Sequence, residues 1–238
     1  MALLTDQRIR QLMNEGEIVI SPFKEENLQS ASYDVSLGPN FYRLHKENSL
    51  SSYLDFITDK DMRQAVKYLS PLDPTPGVIN YLDQAEMMKS YHAEKCISYE
   101  ELCRLYSTFK VDRMPAETQV ILLAPQETIL AHTEEYIGGK SRVDTKMFCR
   151  SSYGRLGISV CKCAGLGDVG YYNRWTMEIT NHNRDMSVPL FVGQRIAQIA
   201  FYEVGPTEKL YKGYQDSEEP WLTWKPENML PRLYKTIS

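Results

Sequence analysis

The stretch that decides the fold runs from Thr176-Met177-Glu178-Ile179-Thr180 through Val188-Pro189-Leu190-Phe191 to Ile196-Ala197-Gln198-Ile199-Ala200-Phe201-Tyr202. Three short segments rich in β-branched, aliphatic and aromatic residues lie close together, and Gly193 marks a turn before the last of them. Working back towards Pro115, residues 119–123, 128–131 and 158–163 have the same character. So many short strands with turn signals between them predict a mainly β domain, a compact β-barrel or jelly-roll.

Two regions depart from this pattern. Near the start, Ile9, Leu12 and Met13 have helical spacing behind Thr5, which can cap the segment, and Gly16 is a natural stop, so a short helix is expected. Alternation returns over residues 18–20 and 32–37, with Pro22 and Gly38-Pro39-Asn40 as punctuation. Residues 56–112 read as a helical insertion: Met62, Ala65, Val66 and Leu69 share one helix face and Leu102, Leu105 and Tyr106 another, with Pro71, Pro74 and Pro76 between. One domain of 238 residues carrying this insertion is the expected organisation.

Composition limits the function classes. A hydrophobic share of 42% and a charged share of 24% suit a folded globular chain. The net charge of −4 argues against a polynucleotide partner, which needs clustered Lys and Arg, and leaves room only for a local basic pocket. Asp6, Arg8 and Arg10 interrupt the first apolar residues, so neither a signal peptide nor a membrane span is read there and a cytoplasmic location is expected. Five cysteines, an odd number, fit reduced thiols.

The chemistry concentrates in Arg150-Ser151-Ser152-Tyr153-Gly154-Arg155-Leu156-Gly157, Ala164-Gly165-Leu166-Gly167-Asp168-Val169-Gly170 and Trp175-Thr176-Met177-Glu178. Two arginines and two serines within six residues can offer guanidinium forks and hydroxyls to phosphate oxygens, or form a turn with a solvated charge pair. Glu178 by itself can be an outward strand carboxylate paired with a cation. These alternatives stay open on residue type alone.

The three segments together resemble the signature of the dCTP deaminases: an Arg-Ser-Ser-x-x-Arg-Leu-Gly run, an Ala, an Asp-x-Gly hairpin and a Glu on the next strand, with no gap from Arg150 to Glu178. Ser32-Tyr33-Asp34-Val35-Ser36-Leu37-Gly38, Leu130-Ala131-His132-Thr133-Glu134 and Gly193-Gln194-Arg195-Ile196 are similar to flanking segments of that family. The resemblance covers about residues 3–45 and 115–215. It implies a dUTPase-like barrel and a homotrimer with active sites at subunit interfaces. It implies zinc-independent deamination of a deoxycytidine nucleotide, with Mg²⁺ accompanying the triphosphate. Arg150, Ser151, Ser152 and Arg155 would hold phosphates, Asp168 the deoxyribose, and Thr176, Met177 and Glu178 the base. Glu178 would be the proton-transferring group, Ser151 and the backbone of Ala164 would hold the water, and Arg155 would fix the carboxylate. Tyr211 after Gly205-Pro206 fits the family's C-terminal tyrosine, and Lys212 and Gln215 fall near its phosphate-binding residues. Gly167, Val169 and Tyr172-Asn173 depart from the usual hairpin.

Three rivals define the tests. A zinc deaminase needs His-x-Glu followed by Pro-Cys-x-x-Cys. His92-Ala93-Glu94 and His132-Thr133-Glu134 supply only the first half, although Cys161 and Cys163 on a regular strand would share a face. A dUTPase would use Asp168 to aim water at the α-phosphate and needs no carboxylate at 178. Ala164-Gly165 resembles members that perform both reactions and release dUMP. A non-catalytic nucleotide-binding regulator would use the insertion as its contact surface.

Overall fold

The computed structural model describes residues 2–44, 90–107, 109–211 and 220–232. In chain order the first elements are β1 (Ala2–Leu3), α1 (Asp6–Asn14), β2 (Ile18–Ser21), β3 (Tyr33–Arg43), β4 (His92–Glu94), β5 (Ile97–Ser98) and α2 (Tyr99–Leu105). There follow β6 (Gln119–Leu123), β7 (Thr128–Gly139), β8 (Val143–Cys149), α3 (Ser151–Arg155), β9 (Ile158–Ser159) and β10 (Leu166–Gly167). The last are β11 (Tyr172–Asn181), β12 (Val188–Phe191), β13 (Arg195–Glu203) and α4 (Pro220–Thr223). The chain is mainly β.

The strands form two sheets. The larger runs β10-β8-β13-β3-β7-β11-β9, with β1 added on β13, β2 on β7 and β4 on β3; the smaller runs β12-β6-β5. Strand β6 shows how period two builds the layers. Ile121 and Leu123 face the main core with Val35, Met177, Leu190 and Phe201. Val120 and Leu122 face the other way, where Tyr99 and Leu102 of α2 cover them. α1 buries Ile9 and Leu12 in the main core, and Gly16 (φ +75°) closes it in the left-handed conformation that glycine adopts without strain. Thr5 holds the cap position but makes no side-chain cap bond.

Several boundaries differ from the sequence expectations. Gly38-Pro39-Asn40 does not end a strand: β3 continues to Arg43 through an irregularity in its pairing with β7 between Leu37 and Phe41. The reason is His132, whose ring lies where a Cβ on Gly38 would be, 2.1 Å from Cε1. The helix over Leu102 and Leu105 exists, but the residues before it are strands: β4 pairs with β3, and β5 with β6. Glu94 in β4 pairs at 2.8 Å with Arg43, which also pairs with Glu127, so His92-Ala93-Glu94 has a structural task. The first half of the expected insertion helices, Met62 to Leu69, lies outside the described residues. The expected strand over residues 158–163 stops at Ser159, so Cys161 and Cys163 sit on an irregular segment and the same-face argument for them does not apply. No helix among the described residues is long and apolar enough to cross a membrane.

Candidate active site

Strand β11 supplies the floor of the site. Alternation buries Trp175, Met177 and Ile179 in the core, with Met177 fully enclosed, and turns Arg174, Thr176 and Glu178 the other way. These three line a cavity of about 900 Å³, within the range of small-molecule sites. The Met177 side chain is packed in the core and is not among the residues that line the cavity. Glu178 stands opposite Leu130 on β7, and Thr176 opposite His132. The Oε2 atom of Glu178 is buried and has no hydrogen-bond partner among the described residues. A polar atom so placed needs a partner from elsewhere.

The hairpin from Asp168 to Tyr171 forms one wall. The Tyr171 N–H donates to the Asp168 carbonyl at 2.9 Å, and the Gly170 N–H to the Gly139 carbonyl at 3.0 Å. Gly170 takes φ +98°, and a Cβ there would meet Tyr211 N at 3.0 Å. The Tyr211 N–H donates to the Val169 carbonyl at 2.8 Å, which pins this later segment on the hairpin. The rings of Tyr211, Tyr171 and Trp175 follow one another edge to face, with centroids 5.2 and 5.3 Å apart. Gly167, which departs from the family pattern, is explained by Trp175: a Cβ would lie 2.4 Å from Trp175 Cη2 and from Thr145 Oγ1. The indole occupies the space an aliphatic side chain would take.

On the other side Ala164 lines the cavity, and Cys161 lies beneath it, with Sγ 3.4 Å from where a Gly165 Cβ would be. Burial pushes the Cys161 thiol up, and the charge of Glu178 adds to this. Burial likewise raises Asp144, with the charge of nearby Asp168 adding to the shift.

The cavity thus gathers Ala164, Asp168, Thr176, Glu178 and Tyr211. It does not gather the arginine and serine segment. Ser151, Ser152 and Arg155 are exposed on α3 and are not among the lining residues of the same chain. Arg150, just before α3, lies 3.4 Å from Asp34 and donates to the Arg195 carbonyl at 3.2 Å. Lys212 and Gln215 lie outside the described residues.

Arg174 is a cavity residue that the motif reading missed. Its guanidinium sits between the rings of Tyr136 and Trp224, 4.9 and 4.7 Å from their centroids, and its Nε is buried without a hydrogen-bond partner among the described residues. Its place two residues before Thr176 on a period-two strand was a usable signal. Trp224, Met229 and Leu230, which wall the cavity from the C-terminal segment, carried none. Trp224 also lies on His132, with centroids 4.6 Å apart.

A model of the family described as dCTP deaminase-like matches residues 3–70 and 82–204. The chain belongs to this dCTP deaminase-like family. The match continues through most of residues 56–112, so the segment expected to stand outside the family is largely within it. Among curated relatives, the chain is 29% identical to the "dCTP deaminase, dUMP-forming" of Methanobrevibacter smithii over 235 residues, which is 98% of this chain and 97% of that protein. It is 27% identical to the protein of the same name from Nanoarchaeum equitans over 210 residues, 88% of each. A crystal structure of 2′-deoxycytidine 5′-triphosphate deaminase from Agrobacterium tumefaciens aligns at 18% identity and a TM-score of 0.49, over 85% of this chain and 47% of that one. The residues of this dCTP deaminase-like chain that wall the cavity from Tyr211 onwards all lie beyond the matched range.

Proposed function

We propose that this chain hydrolytically deaminates a deoxycytidine nucleotide, with dCTP as substrate and Mg²⁺ entering as part of the triphosphate. The observation that carries the reading is Glu178, a carboxylate on the wall of a nucleotide-sized cavity with Oε2 withdrawn from solvent and unpartnered among the described residues. The 4-amino edge of cytosine supplies the donor such an oxygen needs.

The reaction adds water at C4 of the base. Glu178 takes a proton from that water and delivers it to N3; a second transfer from the added hydroxyl, again through Glu178, protonates the amine, which leaves as ammonia and leaves a C4 carbonyl. The backbone of Ala164, on the cavity wall, holds the water together with the Ser151 hydroxyl of a second copy of the chain. In this reading the carboxylate moves the protons without a zinc ion, which the chelator experiment below tests.

Exposure of Ser151, Ser152 and Arg155 away from their own chain's cavity supports an assembly in which a second copy brings them to it, and we take that assembly to be a homotrimer. Arg155 would then fix the Glu178 of another subunit. Asp168 on the hairpin holds the sugar. The names of the relatives favour a second step, in which Asp168 orients water on the α-phosphorus and dUMP and pyrophosphate are released.

The test is incubation with dCTP and Mg²⁺, and separately with dUTP and Mg²⁺, followed by chromatographic separation of nucleotides and an ammonia assay. Stoichiometric ammonia with dUMP is expected. Hydrolysis of dUTP without any deamination of dCTP would assign the site to a plain dUTPase.

A further inference from the structure

The segment Ser32-Tyr33-Asp34 has so far had no chemical task, yet Asp34 joins it to two other segments of the site. Asp34 lies on β3 with its side chain 3% exposed. Arg150 Nε and Arg195 Nη1 each stand 3.4 Å from its Oδ2. The sheet register produces the cluster. Asp34 is opposite Gln198 on β13, and Gln198 is opposite Phe148 on β8, so Arg150 emerges two residues later within reach of the carboxylate.

The guanidinium of Arg150 is held on two sides. Nε faces Asp34, and Nη1 donates to the Arg195 carbonyl at 3.2 Å. Its Nη2 makes no hydrogen bond among the described residues. Two guanidinium groups share one buried carboxylate, leaving a formal charge of +1. Without the carboxylate the two cations would repel, and nothing charged among the described residues would fix the orientation of Arg150.

We propose that Asp34 is a positioning residue for phosphate recognition: it fixes the Arg150 guanidinium so that the remaining Nη2 edge meets a phosphate oxygen of the nucleotide. This rests on the reading of Arg150–Arg155 as the phosphate-holding segment. The competing role is a staple that only ties β3 to the ends of β8 and β13.

Dependence on the phosphate chain separates the two roles. KM and kcat are measured for dCTP and dCMP with the wild-type protein, Asp34→Asn, Arg150→Gln and Asp34→Asn/Arg150→Gln, alongside thermal midpoints. We expect Asp34→Asn to raise KM for dCTP about tenfold, the loss of roughly one charge-assisted contact. KM for dCMP should rise less, and kcat at saturation should stay within about twofold. In the Arg150→Gln background, adding Asp34→Asn should raise KM for dCTP no further. Equal losses on both nucleotides, or a lower midpoint with an unchanged KM ratio, would overturn the inference in favour of the staple. Should Asp34→Asn fail to fold, Asp34→Glu keeps the charge, moves it by one methylene and gives the same comparison. If the wild type deaminates nothing, the catalytic reading fails separately, and equilibrium binding of dCTP against dCMP still tests Asp34 by the same ratio.

Discussion

His132 allows a quantitative test of the wall beneath the cavity. Its ring is fully buried, Nδ1 lies 2.8 Å from the Thr133 carbonyl, and the Asn40 N–H reaches Nε2 at 3.3 Å. The hydrogen-bond pattern assigns the proton to Nδ1 and leaves Nε2 as an acceptor. Burial, with the nearby charge of Arg174, pushes the imidazole down to about 4 from 6.5. Between those values the unfolded chain binds a proton that the folded chain refuses. The stability contribution is therefore complete above pH 6.5 and is lost as pH falls towards 4. At about 1.4 kcal/mol per pKa unit, the loss is roughly 2 kcal/mol at pH 5 and about 3 kcal/mol below pH 4. Burial raises Glu127 and Glu135, which act in the opposite direction: their contribution is present at low pH and lost as pH rises. A paired comparison removes them. Urea unfolding followed by tryptophan fluorescence, at fixed protein concentration, is measured at pH 7 and pH 5 for the wild type and for His132→Gln. The wild type should lose about 2 kcal/mol more than the variant between the two pH values. An equal loss in both proteins would refute the assignment of His132 as a buried neutral group.

Three further outcomes follow from the same geometry. Gly167→Ala should destabilise by about 1–3 kcal/mol, because the new methyl meets the buried Trp175 and Thr145 and neither can withdraw; an unchanged denaturation midpoint would contradict this. Dialysis against a chelator followed by Mg²⁺ alone should restore full deamination, whereas recovery that requires zinc would show that the water is activated by metal. Asp168→Asn should shift the product of dCTP turnover from dUMP towards dUTP, since an amide is a poor proton acceptor; an unchanged ratio by chromatography would remove Asp168 from the pyrophosphate-releasing step.

What could be read from the sequence follows period and locality. Short aliphatic runs at residues 119–123 and 188–191 marked two strands of the small sheet, while its third, β5, fell in the segment read as helical; 3.6-residue spacing revealed α1 and α2. Strand β8 was missed although its signal was there: Val143, Thr145 and Met147 are buried and have Asp144 and Lys146 between them, a period-two pattern. Gly38-Pro39-Asn40 looked like a turn because the ring that requires Gly38 belongs to a residue 94 positions later. In the site, the resemblance pointed to Ala164, Asp168, Thr176 and Glu178, which the fold brings to one cavity. The same resemblance included Met177, although strand alternation places it on the opposite face from its two neighbours. Trp224 and Leu230 were invisible because their place on the wall depends on the path of the chain and on no local pattern. The place of Arg150–Arg155 was not legible either: a run of arginines and serines carries no signal of which cavity it faces, and Ser151, Ser152 and Arg155 are exposed outside the lining of their own chain's cavity.

The most direct test of the account is Glu178→Gln, assayed for turnover of dCTP and for binding of dCTP in the presence of Mg²⁺. The amide keeps the shape of the side chain and removes its ability to take a proton from water. Ammonia release should fall by at least about a thousandfold while the dissociation constant changes by less than about tenfold. Turnover within about tenfold of the wild type would contradict the account, because Glu178 would then not be the group that moves the proton.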